Sequence, residues 1–469
     1  MSNADAGLIS CVVFILGAII CSGIVSSVSQ REKYLGLKLS RFFKTDVGKF
    51  SLSSRAFQGV DLPNVHIAIR KYAELHKGTY ELIGYAGTGL RHVSQTNVQI
   101  SLIPLQYDNI DIGTNERMEC PRNGIYMVDC PDGKICFSAQ LYYQGGATIE
   151  LIAFSPSNDL NTKALEEIRE LICHHSVFKG KILSLEGQEQ TADVSNWLKI
   201  RFHEFAAVEK SEIILPPETM QLIERNVMSF YKHSDSLRKA GKSLKRGILF
   251  YGKPGTGKTI TAKYLAQHLA GVTVFLLSGE QLWLVKEAFQ LARLLAPSLV
   301  IMEDVDLIAH TRDETLGQTI LHQLLNELDG LTKETEIIFL LTTNRPEVLE
   351  PALALRPGRV DQAIKFPLPD PICRQRLIEQ YAKGVELQVK DMERLVSRTD
   401  GASPAFIQEL LRKAALIAAE GNSFHTTERL LIEDEHLQKA LDEMLLNGPL
   451  TRTLVGFHPQ KEAKSGISP

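Results

Sequence analysis

The longest apolar run lies near the start of the chain, from Leu8 to Val28, and contains no charged side chain. An uncharged helix of about 20 residues spans the hydrocarbon core of a bilayer. The segment before it has no Lys or Arg, unlike the start of a signal peptide, whereas Arg31, Lys33 and Lys38 follow it. The pattern predicts a membrane helix within residues 1–30, with the following chain in the cytoplasm. A soluble buried helix is a weaker alternative, because the polar residues of the run form no water-facing stripe.

Short apolar segments with two different periodicities fill residues 61–186. Some have helical spacing, and the others alternate or are continuous as in β-strands. The dipeptide Asp132-Gly133 separates two strand-like segments and indicates a hairpin turn. We expect a small α+β domain over 61–186, after a basic juxtamembrane connector over 31–60 and before a polar linker over 187–212. Its helices are expected at 61–77 and 161–175, and its strands at 98–102, 125–128, 135–137 and 149–154.

From residue 213 onwards, helical segments alternate with uninterrupted apolar strands. Strands that are apolar at every position are buried on both faces, which is typical of a parallel sheet with helices on both sides. The pattern predicts an α/β domain over 213–370. Residues 371–446 have helical spacing almost throughout and predict a helical domain, one of whose helices begins at Ser403-Pro404. Residues 447–469 have little apolar periodicity, and we expect a disordered tail there.

Composition narrows the range of functions only slightly. The 469 residues are 44% hydrophobic and 23% charged, as in ordinary globular proteins, and the formal net charge is −3. This balance gives no basic field that would favour nucleic acid as a partner. The seven cysteines form no C-x-x-C pair, so buried reduced thiols are favoured over a zinc site.

A glycine-rich segment between an apolar strand and a helix fits the phosphate-binding pattern G-x-x-x-x-G-K-[ST] at every fixed position. Glycines let backbone N–H groups approach phosphate oxygens, and the start of the following helix adds partial positive charge. In such a loop Lys258 supplies a full charge for the phosphates, and the Thr259 hydroxyl supplies a ligand for Mg²⁺. The predicted cofactor-binding residues of this loop are Gly252, Lys253, Pro254, Gly255, Thr256, Gly257, Lys258 and Thr259.

Polar side chains follow two apolar strands of the same domain. Glu303 and Asp304 come directly after the strand Ser298–Met302, and Asn344 follows the strand Ile337–Thr342. The carboxyl ends of parallel strands meet at the edge of the sheet where phosphates bind. Two acids there can divide the work, one holding Mg²⁺ or its water and the other polarising the attacking water, which an amide can orient.

Arg356 and Arg359 lie three residues apart on a predicted turn. Arginine matches phosphate geometry bidentately, so either side chain could reach the γ-phosphate bound to a neighbouring subunit. Surface ion pairs are the alternative role for both arginines.

Residues from about 213 to 445 resemble the AAA ATPases. The loop Gly252–Thr259 is similar to Walker A, and Val300–Asp304 is similar to Walker B. Asn344 resembles sensor 1, and Arg356 with Arg359 resembles the arginine fingers. Gly401 and Ala402 belong to a stretch similar to sensor 2, which implies a part in nucleotide binding.

The resemblance implies a P-loop NTPase sheet with a C-terminal helical lid domain, and ATP and Mg²⁺ as cofactors. It also implies a homo-oligomeric ring, usually a hexamer, in which each site is completed by its neighbour. The order of domains, a membrane helix followed by a middle domain and the AAA module, resembles that of the mitochondrial AAA translocase type that moves a folded Rieske protein.

Three positions depart from the usual family pattern. Walker B ends Glu303-Asp304 instead of Asp-Glu, as in the Rieske translocase type, so position assigns Mg²⁺ to Glu303 and the catalytic acid to Asp304. One extra residue precedes Arg356, which leaves open whether Arg356 or Arg359 is the finger. The aromatic pore loop that normally follows Ser278-Gly279 is absent, and we expect the remaining Trp283 to pack in the core.

The leading hypothesis is a single-pass protein of the cell (inner) membrane, with most of the chain in the cytoplasm, that uses ATP to remodel or translocate a protein client. One alternative is an AAA subunit of a membrane proteolytic system. The chain has no H-E-x-x-H zinc motif, so that protease would act in trans. The other is a regulatory switch that binds ATP and hydrolyses it slowly.

Overall fold

The computed structural model describes residues 34–86, 100–142, 148–187, 198–310, 314–347, 360–421, 429–445 and 456–457. The chain divides into two compact units. The first consists of Met1–Phe178 with Glu186–Ile200, and the second consists of Lys179–Leu185 with Arg201–Pro469. The predicted membrane helix at residues 8–28 lies outside the described residues. Among the residues that are described, no helix has both the length and the apolar character needed to cross a membrane.

The first unit is built on a five-stranded antiparallel sheet with the strand order β1-β7-β6-β5-β2, beside which β3 and β4 form a separate hairpin. Helices α2 and α3 pack against each other, and α3 also contacts β1 and β7. Alternate strand residues such as Ile125, Met127 and Phe154 enter one core, as expected for a period of two. The elements are α1 (Leu35–Phe43), β1 (Ser51–Gln58), α2 (Leu62–Leu75), β2 (Thr79–Gly84), β3 (Tyr107–Asp111), β4 (Arg117–Pro121), β5 (Gly124–Cys130), β6 (Gly133–Tyr142), β7 (Thr148–Ser155) and α3 (Asn158–His175).

Regular helix and strand occur in residues 34–60, the described part of the predicted connector over 31–60. Leu35 and Leu39 lie one helical turn apart on α1, and both are completely buried. Strand β1 pairs with β7 along its whole length, from Ser51 opposite Ser155 to Gln58 opposite Thr148. Backbone hydrogen bonds hold this edge strand, so its serine-rich sequence shows no strong apolar alternation. The predicted hairpin at Asp132-Gly133 is present between β5 and β6.

A seven-stranded sheet with the order β14-β10-β13-β12-β11-β8-β9 forms the centre of the second unit. The pairings from β14 to β8 are all parallel. Every residue of β12 and β13 is buried. The strands are β8 (Ile182–Glu186), β9 (Lys199–Phe202), β10 (Lys245–Gly252), β11 (Thr273–Leu277), β12 (Ser298–Met302), β13 (Ile337–Thr343) and β14 (Gln362–Phe366).

Helices cover both faces of this sheet, as the apolar pattern predicts. On one face Ile338 and Leu340 join the same core as Leu265. On the other face the ring of Phe339 lies 6.4 Å from that of Phe289. The helices are α4 (Pro217–Asn226), α5 (Met228–Lys232), α6 (Ser234–Lys239), α7 (Lys258–His268), α8 (Val285–Leu294) and α9 (Glu314–Asp329).

The boundary between the two units differs from the prediction at residues 186 and 187. Strand β8 pairs with β11, with Ile182 opposite Val274, and β9 lies beside β8 in the same sheet. Strand β8 therefore belongs to the seven-stranded sheet, with β9 at its edge, instead of ending the domain predicted over 61–186. A short apolar strand contains no local signal for which sheet it joins, which is why the sequence places it differently.

The segment between β11 and α8 is helical throughout. A 3₁₀-helix over Gly279–Leu284 begins at Ser278, whose side chain and that of Gln281 form a capping box, and α8 follows without a break. Leu282 and Leu284 are buried, whereas Trp283 is only partly buried. Trp283 thus lies on a helical turn and not on an extended loop.

The C-terminal part of the second unit is a helical lid with its own core and a two-stranded sheet. The predicted helix start at Ser403-Pro404 is confirmed, since Ser403 Oγ accepts a hydrogen bond from the N–H of Phe406. Part of the predicted disordered tail is ordered, because Phe457 is 9% exposed and belongs to the lid core. A single aromatic residue gives no periodic signal. The elements are α10 (Pro371–Tyr381), β15 (Glu386–Gln388), α11 (Met392–Arg398), α12 (Pro404–Gly421), β16 (Leu431–Glu433) and α13 (Asp434–Leu445).

Candidate active site

The glycine-rich loop connects the end of β10 to the start of α7, as the sequence predicts. Strand β10 ends at Gly252 and α7 begins at Lys258. Gly257, directly before the helix, has a φ of +97°, in the region that side-chain-bearing residues rarely adopt. Thr256 is buried and its hydroxyl donates to Lys253 O, 2.8 Å away, which closes the turn. Thr259, in the first turn of α7, is exposed.

Lys258, at the start of α7, is only 6% exposed. Its ammonium group donates to Gly252 O and Lys253 O, each 3.0 Å away, and to Asn344 Oδ1 at 2.8 Å. Burial lowers the pKa of Lys258, and the negative charges of Asp304 and Asp306 oppose that shift. These three hydrogen bonds hold the ammonium between the loop and the end of β13.

The two predicted acids follow β12 but have different surroundings. Glu303 Oε1 is buried and has no hydrogen-bond partner among the described residues. Asp304 has a φ of +52°, which is strained for a residue with a side chain. Its N–H donates to Thr342 Oγ1 at 3.0 Å, and its Oδ1 accepts from Asn344 Nδ2 at 3.0 Å. These two contacts from the end of β13 hold Asp304 in the strained conformation.

Asn344 connects the charged groups of Lys258 and Asp304. Its amide oxygen accepts from Lys258, and its amide nitrogen donates to Asp304. The predicted cation, amide and acid therefore form one continuous network at the carboxyl edge of the sheet. This is the arrangement expected from the parallel strands β10, β12 and β13.

Asp306 is a member of the site that the sequence analysis missed. It is 6% exposed, and its Oδ1 accepts from Thr343 Oγ1 at 2.8 Å and from the N–H of Asn344 at 3.1 Å. These contacts fix the backbone from which the Asn344 side chain extends. The sequence shows that Asp306 follows Asp304 by two residues, but not that its carboxylate accepts from Thr343 and Asn344, which lie 37 and 38 residues further on.

The lid contacts the phosphate-binding loop next to the predicted sensor 2 residues. The N–H of Ala405 donates to Gly255 O at 3.2 Å. Gly401 has a φ of +78°, and Ala402 is completely buried. Gly401 and Ala402 thus lie within a few residues of the point where the lid meets the loop. The other two predicted residues, Arg356 and Arg359, lie outside the described residues.

The residues present fit a nucleotide with Mg²⁺. The unpartnered, buried Glu303 Oε1 is an oxygen ligand of the kind that Mg²⁺ binds, and desolvation of such an atom is costly without a partner. Among the described residues, a β-carbon at Gly257 would meet only Ile260 Cγ2, at 3.7 Å, so the side of the loop at Gly257 has space. Lys258 and the start of α7 supply positive charge to that side.

Comparisons with known proteins agree with this geometry. The model of the AAA family, the ATPase family associated with various cellular activities, matches residues 248–368. The ATP-dependent zinc metalloprotease FtsH of Nitrosococcus oceani is 32% identical over 282 residues, which cover 56% of this chain and 42% of that protein. FtsH 3 of Symbiobacterium thermophilum is 34% identical over 251 residues, 50% of this chain and 39% of that protein.

The proteasome-activating nucleotidase of Methanopyrus kandleri is 34% identical over 243 residues, which cover 49% of this chain and 54% of that protein. The chain spans about half the length of these curated relatives or less. The chain therefore carries a domain of the AAA ATPase family, which the family model places at residues 248–368.

Proposed function

We propose that this chain couples ATP hydrolysis to the remodelling or translocation of a protein client. The proposal of ATP hydrolysis rests on one observation: Asn344 joins Lys258 to Asp304 by hydrogen bonds, and next to Asp304 in the sequence is Glu303, which has a buried oxygen without a partner among the described residues. Support for a protein client comes from the relatives, which by their names are a protease and an activator of the proteasome.

The residues have distinct tasks in this proposal. Lys258 binds the β- and γ-phosphates, and Thr259 with Glu303 would hold Mg²⁺, which neutralises charge on the phosphates when bound. Asp304 accepts the proton of the attacking water, and Asn344 orients Asp304 through the hydrogen bond that it donates. Preorganisation of these groups lowers the cost of reorientation during the reaction.

The proposal includes a homo-oligomeric ring, which in the AAA family is usually a hexamer. In this ring Arg356 or Arg359 would reach the site of the neighbouring subunit. It also includes a single membrane helix at residues 8–28, with most of the chain in the cytoplasm. The uncharged run and the basic residues after it support this placement. Resistance to alkaline carbonate extraction is the expected result, and full release of the chain would contradict the anchor.

A client is moved without threading in this proposal. The 3₁₀-helix Gly279–Leu284 occupies the interval in which AAA unfoldases have an aromatic pore loop. Without such a loop, ATP-driven subunit rotation can still change the shape of the ring and of the attached domain, so we place client contact in residues 61–185. Once a client is known, a very stable domain fused to it provides the test. It should remain folded during transport, and its ATP-dependent unfolding would contradict the proposal.

The client can be sought with the Asp304→Asn variant, which we expect to bind ATP without hydrolysing it. Capture of one membrane-derived protein in ATP and its release in ADP would support a client. Capture of a peptidase under the same conditions would instead favour the alternative of a proteolytic system in trans. Binding without measurable turnover by the unaltered chain would favour the regulatory switch.

A further inference from the structure

Ser403 lies between the phosphate-binding loop and the C-terminal segment of the chain. On one side, a β-carbon at Gly255 would lie 3.1 Å from Ser403 Oγ and 2.8 Å from Ala405 Cβ. On the other side, a β-carbon at Gly456 would overlap Ser403 Oγ. Glycine at both positions therefore allows the backbone of two distant segments to approach the same buried side chain.

Gly456 and Phe457 are fastened to this part of the lid by three kinds of contact. The N–H of Ser403 donates to Gly456 O at 2.9 Å. Phe457 forms an antiparallel bridge with Ala402. Its ring lies 5.2 Å from that of Phe406, a distance typical of favourable aromatic pairs.

The same short stretch of the lid also contacts the loop, since Ala405 N–H donates to Gly255 O. Ser403, which is completely buried, holds the start of α12 through its hydrogen bond from the N–H of Phe406. Displacement of the C-terminal segment would thus free the backbone of Ser403 and the start of the helix that touches the loop. The C-terminal segment and the nucleotide are expected to act on one shared element.

We propose that Gly456 and Phe457 form a clasp, which positions the stretch Ala402–Ala405 against Gly255 and thereby sets the affinity of the site for nucleotide. The clasp residues are positioning residues, because they act through Ser403 and Ala405. This inference rests on nucleotide binding by the loop Gly252–Thr259. By reciprocity, bound nucleotide must strengthen the clasp by the same factor as the clasp strengthens nucleotide binding.

The first test compares two shortened forms of the full chain, one ending at residue 460 and one at residue 455. Only the first keeps the clasp, and the new carboxylate is then three residues beyond it. We expect the chain ending at 455 to bind a fluorescent ATP analogue about three- to tenfold more weakly than the chain ending at 460, which is the size of coupling carried through packed side chains. The KM for ATP should rise by the same factor while kcat changes little, because Lys258 and Asp304 do not contact the clasp.

Point variants separate this positioning from a general loss of structure. Phe457→Ala should weaken ATP binding. Phe457→Tyr should bind ATP like the unaltered chain, because the ring contact with Phe406 is kept. Equal affinity of the chains ending at 455 and 460 would overturn the clasp. Equal weakening of both relative to the full-length chain would also overturn it, because the effect would then not belong to residues 456–457.

The reciprocal test needs no variant. Mg²⁺-ATP should slow hydrogen exchange in peptides of the full-length chain that contain Gly456 and Phe457, about three- to tenfold. Slower exchange in the loop peptide alone, with no change at Gly456 and Phe457, would overturn the clasp. Absence of nucleotide binding by the full-length chain would instead refute the proposed function on which it rests.

Discussion

At the scale of single residues, the site depends on Asn344, whose amide accepts a hydrogen bond from the ammonium of Lys258 and donates one to the carboxylate of Asp304. The sequence placed these three residues correctly at one sheet edge, since parallel strands bring their carboxyl ends together. It did not reveal Asp306, whose role depends on hydrogen bonds to Thr343 and Asn344 that only the folded chain defines.

The two adjacent acids should have separable roles. Asp304→Asn should keep ATP binding and lose hydrolysis by about two orders of magnitude or more, the size typical of removing a general base. Glu303→Gln should weaken the dependence of binding on Mg²⁺, because its buried oxygen loses charge as a metal ligand. ATP binding at varied Mg²⁺ and steady-state hydrolysis are the measurements. Full hydrolysis by Asp304→Asn together with trapped ATP in Glu303→Gln would reverse the assignment.

Asp61 makes the stability of the first unit depend on pH. Asp61 is 2% exposed, and burial raises its pKa to about 7, with a partial opposing effect from the hydrogen bond donated by Asn64. The folded state therefore keeps a proton that the unfolded state releases above its ordinary pKa of 3.8. Stability from this group falls as pH rises from about 4 to about 7, and it then levels off.

The Asp61→Asn variant tests this sign, because the amide cannot ionise. Relative to the unaltered chain, its free energy of unfolding should increase as the pH is raised from about 5 to about 7, by at most about 1.4 kcal/mol per pH unit, the slope for one proton. Burial lowers the pKa of His66 to about 3, which gives the opposite slope at acidic pH, but this contribution is common to both chains. A stability difference that is independent of pH would contradict the buried carboxyl.

At the scale of the elements, the buried Arg374 on α10 contacts the chain before α10, the end of α11 and the turn that follows α11. Its side chain is buried, donates to Pro369 O and Val396 O, and lies 3.0 Å from Asp400 Oδ1. The sequence predicted the helix on which it lies but not this role, because a charged residue on a helix is more often solvated. Periodicity identifies helices from their apolar residues and says nothing of a buried cation.

Arg374→Ala should destabilise the second unit by about 2 kcal/mol, because it leaves the carbonyl groups of the buried residues Pro369 and Val396 without their donor. Arg376→Ala is the matched control, since Arg376 is exposed on the same helix and should change stability by less than about 0.5 kcal/mol. Thermal or denaturant unfolding monitored in the second unit is the measurement. Equal effects of the two substitutions would show that the contacts of Arg374 contribute no special stability.

Strand membership was the least predictable feature at the scale of the whole molecule. The strands themselves follow from apolar runs, whereas the pairing of β8 with β11 and of β1 with β7 depends on partners far away in sequence. Local patterns determine the type of an element more strongly than its neighbours. The contact of Phe457 with the lid escaped the sequence analysis for the same reason.

Assembly is tested by mixing inactive subunits. Arg356→Ala and Arg359→Ala subunits keep their own loop, and Lys258→Ala subunits keep their arginines. If sites are shared in a ring, rings mixed from an arginine variant and Lys258→Ala should recover part of the ATPase activity, because some interfaces then combine an intact loop with an intact arginine. The homogeneous rings serve as controls. Assembled mixed rings with no recovery would contradict a shared site.

The proposed ATPase activity is tested most directly by measuring ATP binding and Mg²⁺-dependent ATP hydrolysis of the unaltered chain and of its Lys258→Ala variant. We expect steady hydrolysis and ATP binding by the unaltered chain, and loss of both in Lys258→Ala, because the buried ammonium is the loop's contact for the phosphates. Lys286→Ala, which removes an exposed lysine of α8, should behave like the unaltered chain. Unchanged ATP binding by Lys258→Ala, or no Mg²⁺-dependent hydrolysis by the unaltered chain, would contradict the account.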